Sequence, residues 1–151
     1  MSISHAIRHV RITPIAFRDP PLLNAAGIHE PWALRSIIEI ETADGRVGLG
    51  ESYGDLTTLG DLAAVREALI GLDVFDLNGL ERAVYAHVAG GGAGPDAAFP
   101  AKYDRRRATA LAAFEVAMLD LQGQIVGRRV CDLLGGAVRE SVPFSAYLFY
   151  K

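Results

Sequence analysis

Cysteine and lysine are among the scarce residues of this sequence, with one cysteine, Cys131, and only two lysines, Lys102 and Lys151. A lone cysteine excludes an intramolecular disulfide, and its neighbours Val130 and Leu133 predict a buried apolar thiol rather than a reactive one. The sequence also has no run of about 18 uncharged apolar residues and no N-terminal apolar segment of signal-peptide length. We therefore expect a soluble, cytoplasmic protein that does not associate with membranes.

Clusters of positive charge are equally sparse. The formal net charge is −3, and no basic run is longer than Arg105-Arg106-Arg107. Nucleic-acid binding needs a wider basic face, so we interpret this triplet as the solvated first turn of a helix and expect no nucleic-acid partner. Half of the residues are hydrophobic and 22% are charged, which is typical of one globular domain with a short additional tail.

The segment from Trp32 to Ser52 predicts a β-hairpin. Its first apolar run is rich in β-branched residues, and the Asp44-Gly45 pair suits a tight turn. Gly48 and Gly50 in the returning strand would let another backbone come close.

A further strand is predicted from Ile7 to Phe17, where apolar and polar residues alternate with a period of two. Pro14 lacks an N–H and favours an edge position. The sequence thus predicts a three-stranded, antiparallel sheet. The polar loop from Arg18 to Pro31 between its first two strands is the best candidate on the chain for contacting a small molecule.

Helical patterns follow the hairpin. The first is predicted to begin with an N-cap at Thr57-Thr58 and an acidic Asp61, and to end at Gly71. A second short helix is predicted near Asn78, and the glycine-rich stretch of residues 89–101 is interpreted as a mobile surface loop.

The strongest helical pattern runs from Asp104 to Val126 and is stopped by Gly127. Glu115 interrupts its apolar stripe, either as a satisfied structural acceptor or as a charge at the edge of the stripe; a role in a site is the third possibility. A short helical turn is predicted within residues 131–136. The segment from Ser141 to Tyr150 looks like an apolar strand that has no partner in the sequence.

Two stretches resemble the enolase superfamily: GRVGLGES, residues 45–52, and AFEVAMLDLQGQIVGRRVCDLLGG, residues 113–136. The second is similar to the long helix of that family and its ALxDLxGxxxGxPxxxLLGG ending, except that Arg129 stands where proline is common. Within the superfamily, LLNAAGIHEPWALRSIIEI and the terminal SAYLFYK are similar to glucarate dehydratases of the mandelate racemase/muconate lactonizing enzyme-like group.

The resemblance implies an α+β fold. Residues 1–136 would form the N-terminal capping domain, a three-stranded antiparallel sheet followed by a helical bundle. Residues 137–151 would form a linker and the first strand of a truncated, TIM-like (β/α)7β barrel. The family's Lys-x-Lys pair, Mg²⁺ ligands and His-Asp dyad belong to later barrel strands, so the resemblance places no catalytic residue and no metal ligand in this chain.

For substrate binding, the resemblance points to Asn24, His29 and Tyr147. An amide, an imidazole and a phenol can orient an anion without adding a second full charge. From the residues alone, Asn24 could instead form a turn, His29 could be an exposed loop histidine, and Tyr147 could be a core aromatic. The family makes a further contact near Lys102 or Tyr103, and the match there selects neither.

The function implied is the specificity part of an Mg²⁺-dependent acid-sugar dehydratase of the glucarate type, a hydro-lyase. Such an enzyme abstracts the proton next to a carboxylate and eliminates the β-hydroxyl as water, with Mg²⁺ stabilising the enolate. The alternatives are a racemase or cycloisomerase of the same superfamily, or a noncatalytic capping-domain module. We expect the 151 residues alone to be inactive, the parent to be an enzyme with a small acid sugar as its partner, and a homo-oligomer to be possible.

Overall fold

A three-stranded antiparallel sheet forms one layer of the computed structural model, which describes residues 5–18, 31–90 and 104–145. Its strands are β1 (Ile7–Arg18), β2 (Trp32–Thr42) and β3 (Val47–Tyr53), in that order across the sheet. The predicted hairpin, the upstream strand and the antiparallel sheet are confirmed, and β1 with its Pro14 does lie at an edge.

A bulge near the start of β1 sets which of its side chains face the core. The pairing with β2 shifts between Ile7 and His9, so one extra residue separates the buried Ile7 from the buried Val10. On β2 the inward face is carried by Ser36, Ile38, Ile40 and Thr42, which alternate with half-buried residues. Period-two alternation therefore holds along the part of the sheet that the helices cover.

The turn between β2 and β3 has the geometry that its sequence suggests. The Gly45 N–H donates to the Thr42 carbonyl at 2.9 Å, and the Thr42 N–H donates to the Arg46 carbonyl at 2.9 Å. The Thr42 hydroxyl also donates to the Asp44 carboxylate at 2.5 Å. Gly45 takes a positive φ of 86°, the backbone conformation that an Asp-Gly pair favours in a tight turn.

Two helices follow the hairpin, α1 (Leu56–Arg66), which continues into one 3₁₀ turn (Glu67–Leu69), and α2 (Leu77–His87). The N-cap predicted at Thr57-Thr58 is wrong, because the side chain of Asp55 accepts the Thr58 N–H and caps α1 two residues earlier. Asp76 caps α2 by accepting the Gly79 N–H at 2.8 Å, close to the predicted start. A short acidic residue directly before a helix satisfies N–H groups that the helix itself leaves free.

The long helix α3 (Arg105–Val126) begins at its cap Asp104 and ends at Gly127, as predicted. The short helix α4 (Val130–Leu133) follows it. The expectation that Cys131 is buried is wrong: the cysteine is half-exposed, and no residue of α4 is buried. Four residues are too few to bury a face of their own. Glu115 is half-buried beside the buried Phe114, which makes it a charge at the edge of the stripe.

The sheet and α3 approach each other at two glycines. A β-carbon on Gly48 would lie 2.2 Å from the Ala117 carbonyl oxygen, and one on Gly50 would lie 2.2 Å from the Ala113 carbonyl oxygen. Only glycine permits such proximity, which confirms the interpretation of these positions. The core lies between the sheet and the helices, and its largest fully buried side chains are Phe114, Ile7, Ile38, Ile40, Leu62, Leu69, Leu80, Met118, Leu121, Val65, Val74 and Val84.

The two edges of the sheet differ. On β3, the Leu49 N–H donates to Asp120 of α3 at 2.9 Å, and the Val47 carbonyl accepts from the Gln124 side chain at 2.8 Å. On β1, only the first residues are covered, because Ile7 exchanges backbone hydrogen bonds of 2.8 Å with Gly71 and Leu72. In the described residues, the outer edge of β1 beyond this point has no strand beside it.

Two predicted segments fall wholly or partly outside the described residues. Residues 91–101 of the glycine-rich stretch lie outside them, as do residues 146–150 of the predicted C-terminal strand; the part from Ser141 to Ser145 that is described contains no strand. Among the described residues, no helix has the length and apolar character that crossing a bilayer requires.

Candidate functional site

The ends of three strands and the starts of two helices lie at one end of the domain. β1 ends at Arg18 opposite the start of β2 at Trp32, and β3 ends at Tyr53 opposite Arg35. Because Gly50 meets Ala113 and Gly48 meets Ala117, α3 runs antiparallel to β3, and its first turn lies where β3 ends. The start of α1 follows Tyr53 after two residues and lies there too.

A cleft of about 330 Å³ opens at this end. The first turns of α1 and α3 line it together with the last residue of β3, so its walls carry hydroxyl, carboxylate and guanidinium groups. The lining residues are Tyr53, Asp55, Thr57, Thr58, Asp61, Arg105, Arg106, Thr109 and Ala110. An adjoining cleft of about 450 Å³ shares Tyr53 and Thr109 with the first. Most of the exposed lining surface is apolar, and the hydroxyl and guanidinium groups set within it are of the kind that fix the orientation of a small ligand.

Asp61 and Arg106 join the two walls of the first cleft. The Arg106 guanidinium donates from Nε to Oδ2 of Asp61 at 2.9 Å and from Nη2 to Oδ1 at 2.5 Å. The hydrogen bond and the charge of Asp61 raise the pKa of Arg106 above its ordinary value. This carboxylate is thus already paired with the Arg106 guanidinium and is not free to act as an acid or base on a substrate.

Asp55 is committed in a similar way. Its carboxylate accepts the Thr58 hydroxyl at 2.6 Å and the Thr58 N–H at 3.0 Å. These hydrogen bonds, the one from the hydroxyl first, hold the pKa of Asp55 below its ordinary value. The residue therefore remains ionised and serves α1 as a cap.

Tyr53 separates the two clefts and is about half-exposed. Its carbonyl accepts the buried Ser36 hydroxyl at 2.9 Å, and the Arg35 guanidinium lies 5.7 Å from its ring centre. Arg35 in turn pairs with Glu51 at 3.1 Å. The backbone of Tyr53 is therefore fixed to β2, whereas its hydroxyl donates to no described residue.

The three substrate residues inferred from the sequence, Asn24, His29 and Tyr147, lie outside the described residues. Residues 19–30 connect Arg18 at the end of β1 to Pro31 before β2, so this segment leaves from and returns to the end of the domain that carries the cleft. Lys102 and Tyr103 also lie outside the described residues, directly before α3. The proposed roles of these residues stay predictions.

Sequence reasoning overlooked Tyr53 and the Asp61–Arg106 pair as residues of a cleft. One signal was present: Asp61 shares the buried side of α1 with Leu62 and Val65. An acidic residue on a buried helix face implies a cationic partner elsewhere. Its partner was in the arginine triplet, where Arg106 binds Asp61 and Arg107 donates to the Val88 carbonyl at 3.1 Å. Two of the three arginines thus have structural partners. The interpretation of a solvated turn fits Arg105 and Arg106, which are both exposed, but not Arg107, which is half-buried.

A metal ion does not fit the described residues. They contain no cluster of three or more histidine, cysteine, aspartate or glutamate side chains that could hold one. Mg²⁺ needs several oxygen ligands around one point, and the two carboxylates of the cleft are already engaged.

A three-stranded antiparallel sheet packed against helices is the architecture of the N-terminal domain of enolase-superfamily enzymes. The family model of the mandelate racemase/muconate lactonizing enzyme N-terminal domain matches residues 9–135. The chain belongs to this family, and the fold that the sequence resemblance implied is confirmed.

Individual relatives narrow the comparison. The chain is 44% identical to a probable glucarate dehydratase of Streptomyces coelicolor over 96% of its own length, and 31% identical to a D-gluconate dehydratase of Thermoproteus tenax over 87%. Among solved structures, an enolase of Pseudomonas fluorescens Pf0-1 with bound magnesium, potassium and tartrate is 55% identical over 97% of the chain, with a TM-score of 0.85. The chain spans 35% of the Streptomyces protein, 25% of the Thermoproteus protein and 35% of the Pseudomonas chain.

Proposed function

We propose that this chain is the substrate-capping part of an acid-sugar dehydratase that acts on glucarate or a closely related diacid. The observation that carries the proposal is the 44% identity to a probable glucarate dehydratase across nearly the whole chain. The gluconate dehydratase relative supports the same class of substrate, a polyhydroxy acid. The cleft offers hydroxyl and guanidinium groups, which can form hydrogen bonds with such a ligand.

The reaction proposed for the parent enzyme is an elimination. A proton leaves the carbon next to the carboxylate, the hydroxyl on the following carbon departs as water, and the resulting enol becomes a ketone. The product is a keto-deoxy diacid. Abstraction of such a proton needs a base and strong stabilisation of the enolate, which enolase-type enzymes obtain from a lysine or histidine and a metal. The described residues contain no cluster that could hold a metal, and we assign no chemical step to this chain.

The role proposed for the chain is recognition of the substrate. Asn24 and His29 belong to the segment that begins and ends at the same end of the sheet as the cleft, and Tyr147 belongs to the C-terminal tail. Each would donate a hydrogen bond to a hydroxyl or to the carboxylate that does not react. Loss of such a donor weakens binding and can leave a buried group of the substrate unpaired.

The test is an assay of the full-length natural protein, supplied with Mg²⁺, against glucarate, its epimers, gluconate, mandelate and muconate. We expect loss of water from glucarate or an epimer. Turnover of mandelate or muconate with no turnover of any acid sugar would replace the dehydratase by the racemase or cycloisomerase alternative.

The role of the loop is tested by Asn24→Ala and His29→Gln. Each is expected to raise the KM for the acid sugar by about tenfold, which corresponds to one lost hydrogen bond of about 1.4 kcal/mol. The matched controls are Asn78→Ala and His87→Gln, which alter exposed residues of α2. Equal KM values for the loop variants and the controls would remove these two residues from the site.

A further inference from the structure

The Asp61–Arg106 pair has a geometry that fixes orientation as well as distance. Two nearly parallel hydrogen bonds of 2.9 and 2.5 Å join the planar guanidinium to the planar carboxylate. The side chain of Asp61 is 11% exposed and that of Arg106 is 42% exposed. A two-point contact of this kind resists rotation of one helix against the other, which a single hydrogen bond does not.

The pair is not needed to bring α1 and α3 together. Leu62 and Val65 of α1 are fully buried, as are Ala110 and Phe114 of α3, so apolar packing already joins the two helices. Only the Asp61 side of the pair is buried; exposed ion pairs contribute little to stability, and apolar residues of similar size often replace a buried one without loss. A carboxylate on this face therefore has a purpose other than holding the helices in contact.

The position of the pair indicates that purpose. The first turn of α1 provides Thr57 and Thr58 to one wall of the cleft, and the first two turns of α3 provide Arg105 and Thr109 to the other. The pair spans the cleft between these walls. Its distance and orientation thus set the width of the cleft.

The connection between β3 and α1 is held firmly on its other side. The Tyr53 carbonyl accepts from Ser36, and the Gly54 N–H donates to the Leu34 carbonyl at 3.2 Å. Because hydrogen bonds to β2 fix the start of this connection, the first turn of α1 can move mainly relative to α3. The Asp61–Arg106 pair is the described polar contact that opposes this movement.

We propose that Asp61 and Arg106 are a positioning pair, which keeps the walls of the cleft at the spacing that binds the polyhydroxy acid. The inference rests on the proposed function for its substrate. Neither residue is placed in contact with the reacting atoms. Misplacement of a binding wall weakens substrate binding, while the chemical step, carried out elsewhere, is affected less.

The experiment compares four forms of the full-length natural protein: the wild type, Arg106→Gln, the double variant Asp61→Leu/Arg106→Met, and the control Arg82→Gln. Arg82 is a matched control because it pairs with Asp76 at 3.3 Å on exposed α2, far along the chain from the cleft walls. The measurements are KM and kcat for the acid sugar, the melting temperature, and hydrogen exchange of the backbone amides of residues 54–58.

We expect Arg106→Gln and the double variant to raise KM by about tenfold with kcat changed by less than about twofold. The double variant keeps a melting temperature close to that of the wild type, yet its amides at residues 54–58 exchange faster. Arg82→Gln changes none of these quantities. A double variant with the melting temperature and the KM of the wild type would overturn the inference, since the pair would then be structural only.

Failure of the proposed function has a different signature. If the wild type converts no acid sugar, the dehydratase proposal fails, and the exchange measurement alone decides the role of the pair. Faster exchange at residues 54–58 in the double variant, with the core of α3 unchanged, supports positioning. Exchange equal to that of Arg82→Gln overturns it.

Discussion

Replacement of Gly50 by alanine tests one of the two glycine contacts that join β3 to α3. A β-carbon there would lie 2.2 Å from the carbonyl oxygen of Ala113, whereas ordinary contact begins at 3.4 Å. The obstacle is backbone in the middle of α3, so no side-chain rotation relieves it. Either β3 or α3 has to move by about 1.2 Å, and the core between them has to repack.

The expected loss of stability follows from two opposing effects. Overpacking of a core costs about 1–3 kcal/mol, and a backbone obstacle places this site near the upper limit. Alanine regains about 0.5–1 kcal/mol because it has less conformational freedom to lose than glycine. The net destabilisation is about 2 kcal/mol, which lowers the melting temperature of a domain of this size by about 4–8 °C.

The assay is urea unfolding of the purified protein, followed by far-ultraviolet circular dichroism. Gly60→Ala is the matched control, because Gly60 lies on the exposed side of α1 with nothing within 4 Å of a new β-carbon. That control is expected to gain about 0.5–1 kcal/mol from helix propensity. A Gly50→Ala variant as stable as the wild type would refute the close packing of β3 on α3.

Two further substitutions test hydrogen bonds of the framework. Asp55→Ala is expected to cost about 1 kcal/mol at neutral pH through loss of the cap of α1. Because the pKa of Asp55 is lowered in the folded state, its contribution to the free energy of unfolding is present above the ordinary carboxyl pKa and is lost as pH falls through the lowered value. The difference in free energy of unfolding between Asp55→Ala and the wild type should therefore shrink from neutral to acidic pH, and a constant difference would contradict this assignment. Gln122→Leu removes the donor that the buried Val74 carbonyl accepts at 2.7 Å and is expected to destabilise the protein by about 1–3 kcal/mol in the same urea assay. A loss below about 0.5 kcal/mol would mean that this carbonyl finds another partner.

The sheet and the long helix were predictable because their signals are local. Alternation in β1, the Asp44-Gly45 turn and the apolar stripe that ends at Gly127 each depend on neighbours within a few residues. The cap of α1 was misplaced because Asp55 and Thr58 can both serve as caps, and only the backbone before Leu56 decides between them. Burial of Cys131 was overpredicted, since apolar neighbours do not bury a residue on a helix of one turn.

The cleft was harder to foresee because its parts are distant in sequence. Asp61 and Arg106 are 45 residues apart, and only the folded arrangement of α1 and α3 brings them together. The acidic residue on a buried helix face was a usable signal, but it does not name its partner. Asn24, His29 and Tyr147 came from family resemblance, which points to residues without describing the surface around them.

Pro14 has a consequence for how this protein behaves among its own copies. Ile7 directs its backbone groups outward to Gly71 and Leu72; after the extra residue of the bulge, the outward positions of β1 are Val10, Ile12, Pro14 and Ala16. A strand of another molecule that paired with this edge would lack one hydrogen-bond donor at Pro14. It could form two short segments of β-ladder but not one continuous ladder. On the opposite edge, Asp120 and Gln124 already engage the Leu49 N–H and the Val47 carbonyl, so both edges, as far as the described residues show them, offer the strand of a second copy an interrupted row of backbone groups.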